Sequence, residues 1–599
     1  MPASRPAAAL AGVSAVSLAL MCVAPFLWPY HRYPFTSFYS EWIALICGLG
    51  VCAVMLRRDV WQGWRIPGMA VALAVTAVLI VLRGAGGWIS APGAAFVLIW
   101  TAAVITAVNM LQRLYGQERM VLLVSCAMVC GAMLGALIGV VQYYEFKTPL
   151  NPWIVKAPAN YLLGNIGQRN HYGSQIAMGL FGLLFLAARG PLYPRWNGRV
   201  YSAVLCALSL PMVWALTLSG SRSSWVFLGL ALALAVLLAR RAAPESRAGR
   251  RLFASVAGLI GIAVLMTVAL TWGAGAGERG AAPFETNLNR LIHDPGSARE
   301  RLVLWSAAWH TFLAHPWLGT GWGAFPWEYF LFVGDAGPGE PFRLFHHAHN
   351  IVLHLAAELG LVGVGIVLAP VLVWFYKISR EPATLLRWWA LAVAGILAWH
   401  SLVEFPLWYA YFLGVLAVVT GLFPGYGFSP RASVLWRPLA AAGIALSAFA
   451  LLVLMQDYRE FERAFFQRDS GQAVRSERGE MLPQLLQRLH RNPVLAPYAE
   501  VVTALPISAG SGDVDAHLFL NGRAMRYVPF ATLVYRQALL LALNDQPAAA
   551  VVMLRRARRA YPVAPPEFDR ELSALAQRHP ARMQPLLESP PPGAVAPPR

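Results

Sequence analysis

Along this chain, apolar runs of roughly twenty residues alternate with short polar connections, the spacing of bilayer-crossing helices rather than strands. The runs lie near 8–28, 41–56, 67–83, 91–112, 120–144, 171–188, 200–219, 224–239, 252–274, 351–376, 388–403, 407–424 and 437–455. They predict an all-α polytopic membrane protein with about 13 transmembrane helices. The first run follows Arg5 and is succeeded by bulky residues, so it reads as an uncleaved first span rather than a signal peptide.

Two stretches break this rhythm. The 275–350 connection is too long for a simple loop and reads as a lid or binding element within a transmembrane part covering 1–455. Inside it, Arg299 to Ala314 places Leu302, Trp305, Trp309 and Leu313 on one helical face, as expected of a helix lying along a membrane surface. Pro316 stops that helix, and Gly319, Gly321 and Gly323 follow as a flexible turn. No strand precedes these glycines and no Lys-Ser/Thr follows them, which argues against a phosphate loop. Residues 456–599 form a separate polar, helical domain whose last dozen residues, rich in Pro and Ala, read as disordered. Tyr535 to Leu543 and Ala548 to Ala560 form a helical hairpin resembling one tetratricopeptide-type unit, suited to peptide contact or equally to a small cap on the membrane part.

Composition supports the membrane class, since 58% of the 599 residues are hydrophobic and only 13% charged. The net charge of +19 does not indicate nucleic acid, because many arginines punctuate hydrophobic runs instead of clustering on a solvated face. Connections near 57–65, 113–119, 189–199, 240–251, 377–387 and 431–437 are basic, and the positive-inside rule places them, with the N-terminus, in the cytoplasm. The 145–170 loop, the Ser219–Arg222 turn, the 275–350 loop, the Ser401–Pro406 turn and the tail are then expected on the external side. All six cysteines lie in apolar runs, so the external parts have no disulfide or Cys-based metal site.

The chemistry-bearing residues fall on that external side. Phe345-His346-His347-Ala348-His349-Asn350 sets three imidazoles at the mouth of a span, where desolvation is costly and a wet cavity is expected. One of them can serve as a general base, though interfacial histidines are also common at the headgroup level. Zinc is a rival reading, opposed by the lack of HExxH spacing and by the divergence of adjacent side chains on a helix. Glu358, nine positions beyond His349, lies too deep to be assumed its partner, whereas His354 stands four positions from Glu358 on the same face. Gln168, Asn170 and His171 can bond sugar hydroxyls or phosphate oxygens, or cap a helix. Arg222, in a tight turn, suits a phosphate or is a snorkelling interfacial arginine, and Arg301 sits one turn before Trp305. Glu404 and Tyr409 flank Pro406 in a short turn after His400.

With these residues assembled, the chain resembles the O-antigen ligase and polymerase superfamily of bacterial membrane glycosyltransferases, and within it the protein O-oligosaccharyltransferases of the PglL type. The likeness rests on Gly164-Asn165 with Gln168 and Asn170-His171, on Ser221-Arg222, and on Arg301 with Trp305. It continues through His315 to Gly323, His349-Asn350 with Glu358-Leu359-Gly360, and Glu404 to Phe412. The resemblance implies an oligosaccharyltransferase without a metal or other cofactor. It would move a whole glycan from an undecaprenyl-diphosphate-linked donor to Ser or Thr hydroxyls of periplasmic or pilin-like proteins. His349 would be the base, Arg222 and Arg301 would hold the diphosphate, and Gln168, Asn170, His171, Asn350, Glu404 and Tyr409 would line the substrate site. Arg169 stands where such proteins often have proline, and Phe405 where a tyrosine is frequent. A lipopolysaccharide O-antigen ligase or polymerase, taking lipid A core as acceptor, is the alternative within this chemistry. A lipid-linked sugar transporter or flippase is the alternative outside it, and would be expected to show inverted repeats and midplane polar groups.

Overall fold

A computed structural model describes residues 5–84, 91–157, 161–193, 195–241, 247–275, 286, 296–335, 343–431, 433–469 and 482–589. Among these residues, 11 helices are long and apolar enough to cross a membrane. The shorter apolar helices Gly68–Gly84 and Ala410–Leu422 occupy two more of the runs predicted to span. The only strands among the described residues are Ile66–Pro67 and Gly427–Phe428, an antiparallel pair. The protein is therefore an all-α, multi-pass membrane protein, as its hydrophobic rhythm predicts. Leu82, Leu265, Leu446 and Phe449 are exposed on these helices. That is the expected state of apolar side chains whose solvent is lipid.

The chain divides into two compact units, each assembled from separated segments. The first comprises Met1–Val75, Val97–Ser297 and Val367–Val453. Its centre is the Arg169–Arg189 helix, which packs against the Gln117–Tyr144, Gly198–Leu218, Ser223–Arg241, Arg247–Gly275 and Leu385–Val403 helices. Small residues permit the closest of these approaches. A Cβ on Gly179 would stand 2.2 Å from that of Ala132, so the two backbones meet across glycine and alanine. Being apolar on every side, the central helix is buried from His171 to Leu186, and the polar residues of its first turn are carried inward with it.

The second unit comprises Thr76–Phe96, Ala298–Ile366 and Leu454–Arg599. Its tail is a succession of short helices, from Leu482–His490 to Pro580–Leu587, in which most neighbours in sequence pack together. The predicted hairpin is present as Ala531–Leu543 and Pro547–Ala560. The same hydrophobic core takes in Leu304 and Ala307 of the Gly296–Ala314 helix, Phe325 and Phe330 of the Phe325–Asp335 helix, and Ala348 and Ala357. Arg556 also makes a bidentate ion pair with Asp335, both bonds at 2.7 Å.

Candidate active site

In the first unit the polar residues gather around the start of the central helix. Gln168 is its N-cap: the backbone is extended and Oε1 accepts the His171 N–H at 2.6 Å. Arg169 occupies the first helical position, where proline is favoured for its fixed φ, and its guanidinium lies over the Tyr161 ring at 4.8 Å. Asn170 Nδ2 donates to Glu404 Oε1 at 2.8 Å, joining residues far apart in sequence. His171, only 2% exposed, places Nδ1 3.2 Å from the Tyr411 hydroxyl, and its ring meets the Tyr409 ring edge-on at 4.8 Å. Tyr409 stacks on Phe405 with ring centroids 5.9 Å apart, so the residue where a tyrosine was expected provides an apolar platform instead of a hydroxyl.

Gln168, Asn170, His171, Glu404 and Tyr409 are thus brought together. Arg222 lies in the turn after Ser221, and Ser221 packs 3.0 Å from the Cβ position of Gly173, one turn into the same central helix. Asn165 has a different task from sugar contact. Its amide donates to the Leu27 and Trp153 carbonyls and its oxygen accepts the Val155 N–H, which pins the preceding loop.

In the second unit the histidine cluster forms a turn before the Ile351–Arg380 helix. Asn350 caps that helix, its Oδ1 accepting the N–H groups of Val352 and Leu353 at 3.0 and 3.1 Å. His349 has φ of 54°, a left-handed conformation that costs a non-glycine residue about 1–2 kcal/mol. Its Nδ1 lies 3.1 Å from the His347 carbonyl. A carbonyl only accepts, so Nδ1 carries the proton, and in the neutral ring Nε2 holds the basic lone pair. Burial, followed by repulsion from His354, His346 and His349, holds the His347 imidazole well below the ordinary range. Arg301 is half-buried on the Gly296–Ala314 helix, whose Leu304 shares a core with Ala348.

The glycine turn after Pro316 is stitched down rather than flexible. Thr320 and Gly321 donate their N–H groups to the carbonyls of Ala357 and Glu358, while Leu361 and Val362 donate to those of Pro316 and Trp317. The Ile351–Arg380 helix is non-helical at Gly360, which frees the backbone groups for this exchange. Arg83 adds a bond from Nη2 to the Gly319 carbonyl at 2.9 Å.

Several further contacts involve residues to which the sequence assigns no role. Glu41 accepts the Ala410 N–H at 2.6 Å, Ser174 Oγ lies 2.8 Å from His400 Nδ1, and Tyr411 meets His171. The available signal was an ionisable residue inside an apolar run, which Glu41 and His400 both are. No group of three or more His, Cys, Asp or Glu among the described residues is arranged to hold a metal ion.

Comparison with known proteins agrees with this architecture. Residues 207–368 match the O-antigen ligase family model, and residues 388–573 match the model of the virulence factor membrane-bound polymerase C-terminal region. The chain is a multi-pass membrane protein whose residues 207–368 are similar to the O-antigen ligase family, and the superfamily resemblance of its motifs is borne out. It is similar to the General O-oligosaccharyltransferase of Acinetobacter baylyi, with 24% identity over 399 residues. The match covers 66% of this chain and 66% of that protein, just under two thirds of the relative's length.

Proposed function

We propose that this protein transfers an oligosaccharide from an undecaprenyl-diphosphate-linked donor to Ser or Thr hydroxyls of periplasmic or pilin-like proteins. In this reading it acts at the bacterial inner membrane, with its catalytic turn and tail on the periplasmic side. The observation that carries the reading is the His349 imidazole, whose Nδ1–H is engaged by the His347 carbonyl so that Nε2 is the basic atom. Nε2 takes the proton of the acceptor hydroxyl while its oxygen attacks the anomeric carbon. The bond from that carbon to the diphosphate oxygen breaks, and the lipid diphosphate leaves with the electron pair. We assign Arg222 and Arg301 to the departing diphosphate, a role suited to guanidinium forks. Gln168, Asn170, His171, Asn350, Glu404 and Tyr409 are assigned to the substrate site. Of these, Asn170 paired with Glu404 retains polar atoms for sugar hydroxyls, whereas Gln168 and Asn350 act first as helix caps.

The family matches favour a second reading, an O-antigen ligase or polymerase with a lipid A core or glycan acceptor. Purified protein, a lipid-linked glycan and either a pilin-like protein or lipid A core distinguish the two. Glycan on the pilin-like protein is expected, glycan on lipid A core alone would establish the second reading, and transfer to neither would return the transporter alternative. His349→Ala is expected to abolish transfer while the donor still binds, and full activity in that variant would remove His349 as the base.

A further inference from the structure

Below the His349 turn lies a set of buried groups that the proposed chemistry does not use. Glu358, 1% exposed, accepts the Phe325 N–H on Oε1 at 3.1 Å. Its Oε2 faces His354 Nε2 at 3.4 Å, one helical turn away, and His354 is itself 2% exposed. The other nitrogen of that ring, Nδ1, is 3.3 Å from the Ala348 N–H, which can only donate. Nδ1 of His354 is therefore the acceptor, and the ring's proton sits on Nε2 toward the carboxylate. Glu358 and His354 thus lie between the start of the Phe325–Asp335 helix and the backbone of Ala348, joined to each by a hydrogen bond and to one another by a 3.4 Å approach of carboxylate and imidazole. The next residue is His349, in its left-handed conformation, with its Nδ1 turned back to His347. A strained residue persists only where its neighbours over-determine it, and the Ala348 N–H bond to His354 adds to the His347 and Asn350 contacts at this turn.

We infer that Glu358 and His354 are positioning residues: Glu358 fixes the His354 tautomer, and His354 through Ala348 holds the turn that aims His349. The inference rests on the reading of His349 as the base. It makes two buried polar residues of the span part of the apparatus of transfer, although neither reaches the substrate.

Near-isosteric variants of the full-length protein test it, because Asn places an acceptor at the Nδ1 position of histidine and Gln reaches the Nε2 position. His354→Gln keeps the contact to Glu358 and loses the Ala348 bond. Its kcat is expected to fall by about 100-fold, the penalty of a catalytic group displaced by about 1 Å. KM for the lipid-linked donor should be unchanged. Glu358→Gln sets an amide N–H against the His354 Nε2–H, forces the other tautomer, and should lower kcat in the same way. His354→Asn restores the acceptor and should recover most of kcat. Hydrogen exchange of the segment containing Ala348 and His349 should accelerate in His354→Gln and Glu358→Gln, but not in His354→Asn.

Wild-type kcat in His354→Gln would overturn the inference. So would equal losses in the Asn and Gln variants with equal loss of protection, the pattern of a merely structural pair. Activity in His349→Ala would instead strike down the base reading, while the exchange experiment still reports whether the relay holds the turn.

Discussion

His347 shows how much the proposed site depends on uncharged imidazoles. Its pKa is held well below the ordinary 6.5, first by burial and then by His354, His346 and His349, which would repel its charged form. As pH falls, the unfolded chain therefore takes up this proton before the folded chain does, and stability present at neutral pH is lost progressively below pH 6.5. The unfolding midpoint of the detergent-solubilised protein is expected to drop between about pH 7 and pH 5, and His347→Gln should reduce that slope. Parallel pH curves for the two proteins would show that the turn tolerates charge at this position. The cluster's location at the head of a span was legible from its residue types alone. Its conformation was not, because a left-handed histidine and a fixed tautomer depend on carbonyls and carboxylates brought there by the fold.

At the scale of elements, the stitch between residues 316–321 and 357–362 governs the geometry. Gly319 and Gly360 have φ of 61° and 64°, and each faces backbone of the opposite segment. A Cβ on Gly360 would lie 2.3 Å from the Trp317 carbonyl carbon, and backbone cannot swing aside as a flexible side chain can. Gly360→Ala thus combines a left-handed alanine with a main-chain clash. It is expected to cost about 3 kcal/mol or more, visible as a lowered unfolding midpoint and faster proteolysis near residue 320. A stability equal to wild type would mean that the two segments separate without penalty. The sequence shows residues 351–376 as one apolar run and the three glycines as a turn, so each half of the stitch is visible and their union is not. A glycine inside a membrane helix does not by itself announce a break; only the carbonyls and N–H groups of the facing segment make the break favourable.

For the molecule as a whole, the hydrophobic rhythm of the sequence disclosed the spans because lipid imposes length and apolarity on every crossing helix. The partnership of the tail with the 275–350 loop left no comparable mark, since it is carried by ordinary core residues such as Phe325, Phe330, Leu533 and Leu554. Those four residues belong to one core, which the tail and the loop helices share. Deleting residues 482–599 strips that core from Phe325, Phe330, Leu304 and Ala307, exposing large apolar side chains beside the segment whose N–H binds Glu358. The truncated protein is therefore expected to lose transfer activity and to elute as aggregate in fluorescence-detected size exclusion. Arg556→Ala removes only a partly exposed ion pair and should cost no more than about 1 kcal/mol, with activity retained. A tail that serves only to recruit acceptor proteins predicts something else: a monodisperse truncation that still binds donor and fails only with a protein acceptor. Finding that pattern would separate the tail from the fold of the loop and reassign it to acceptor choice.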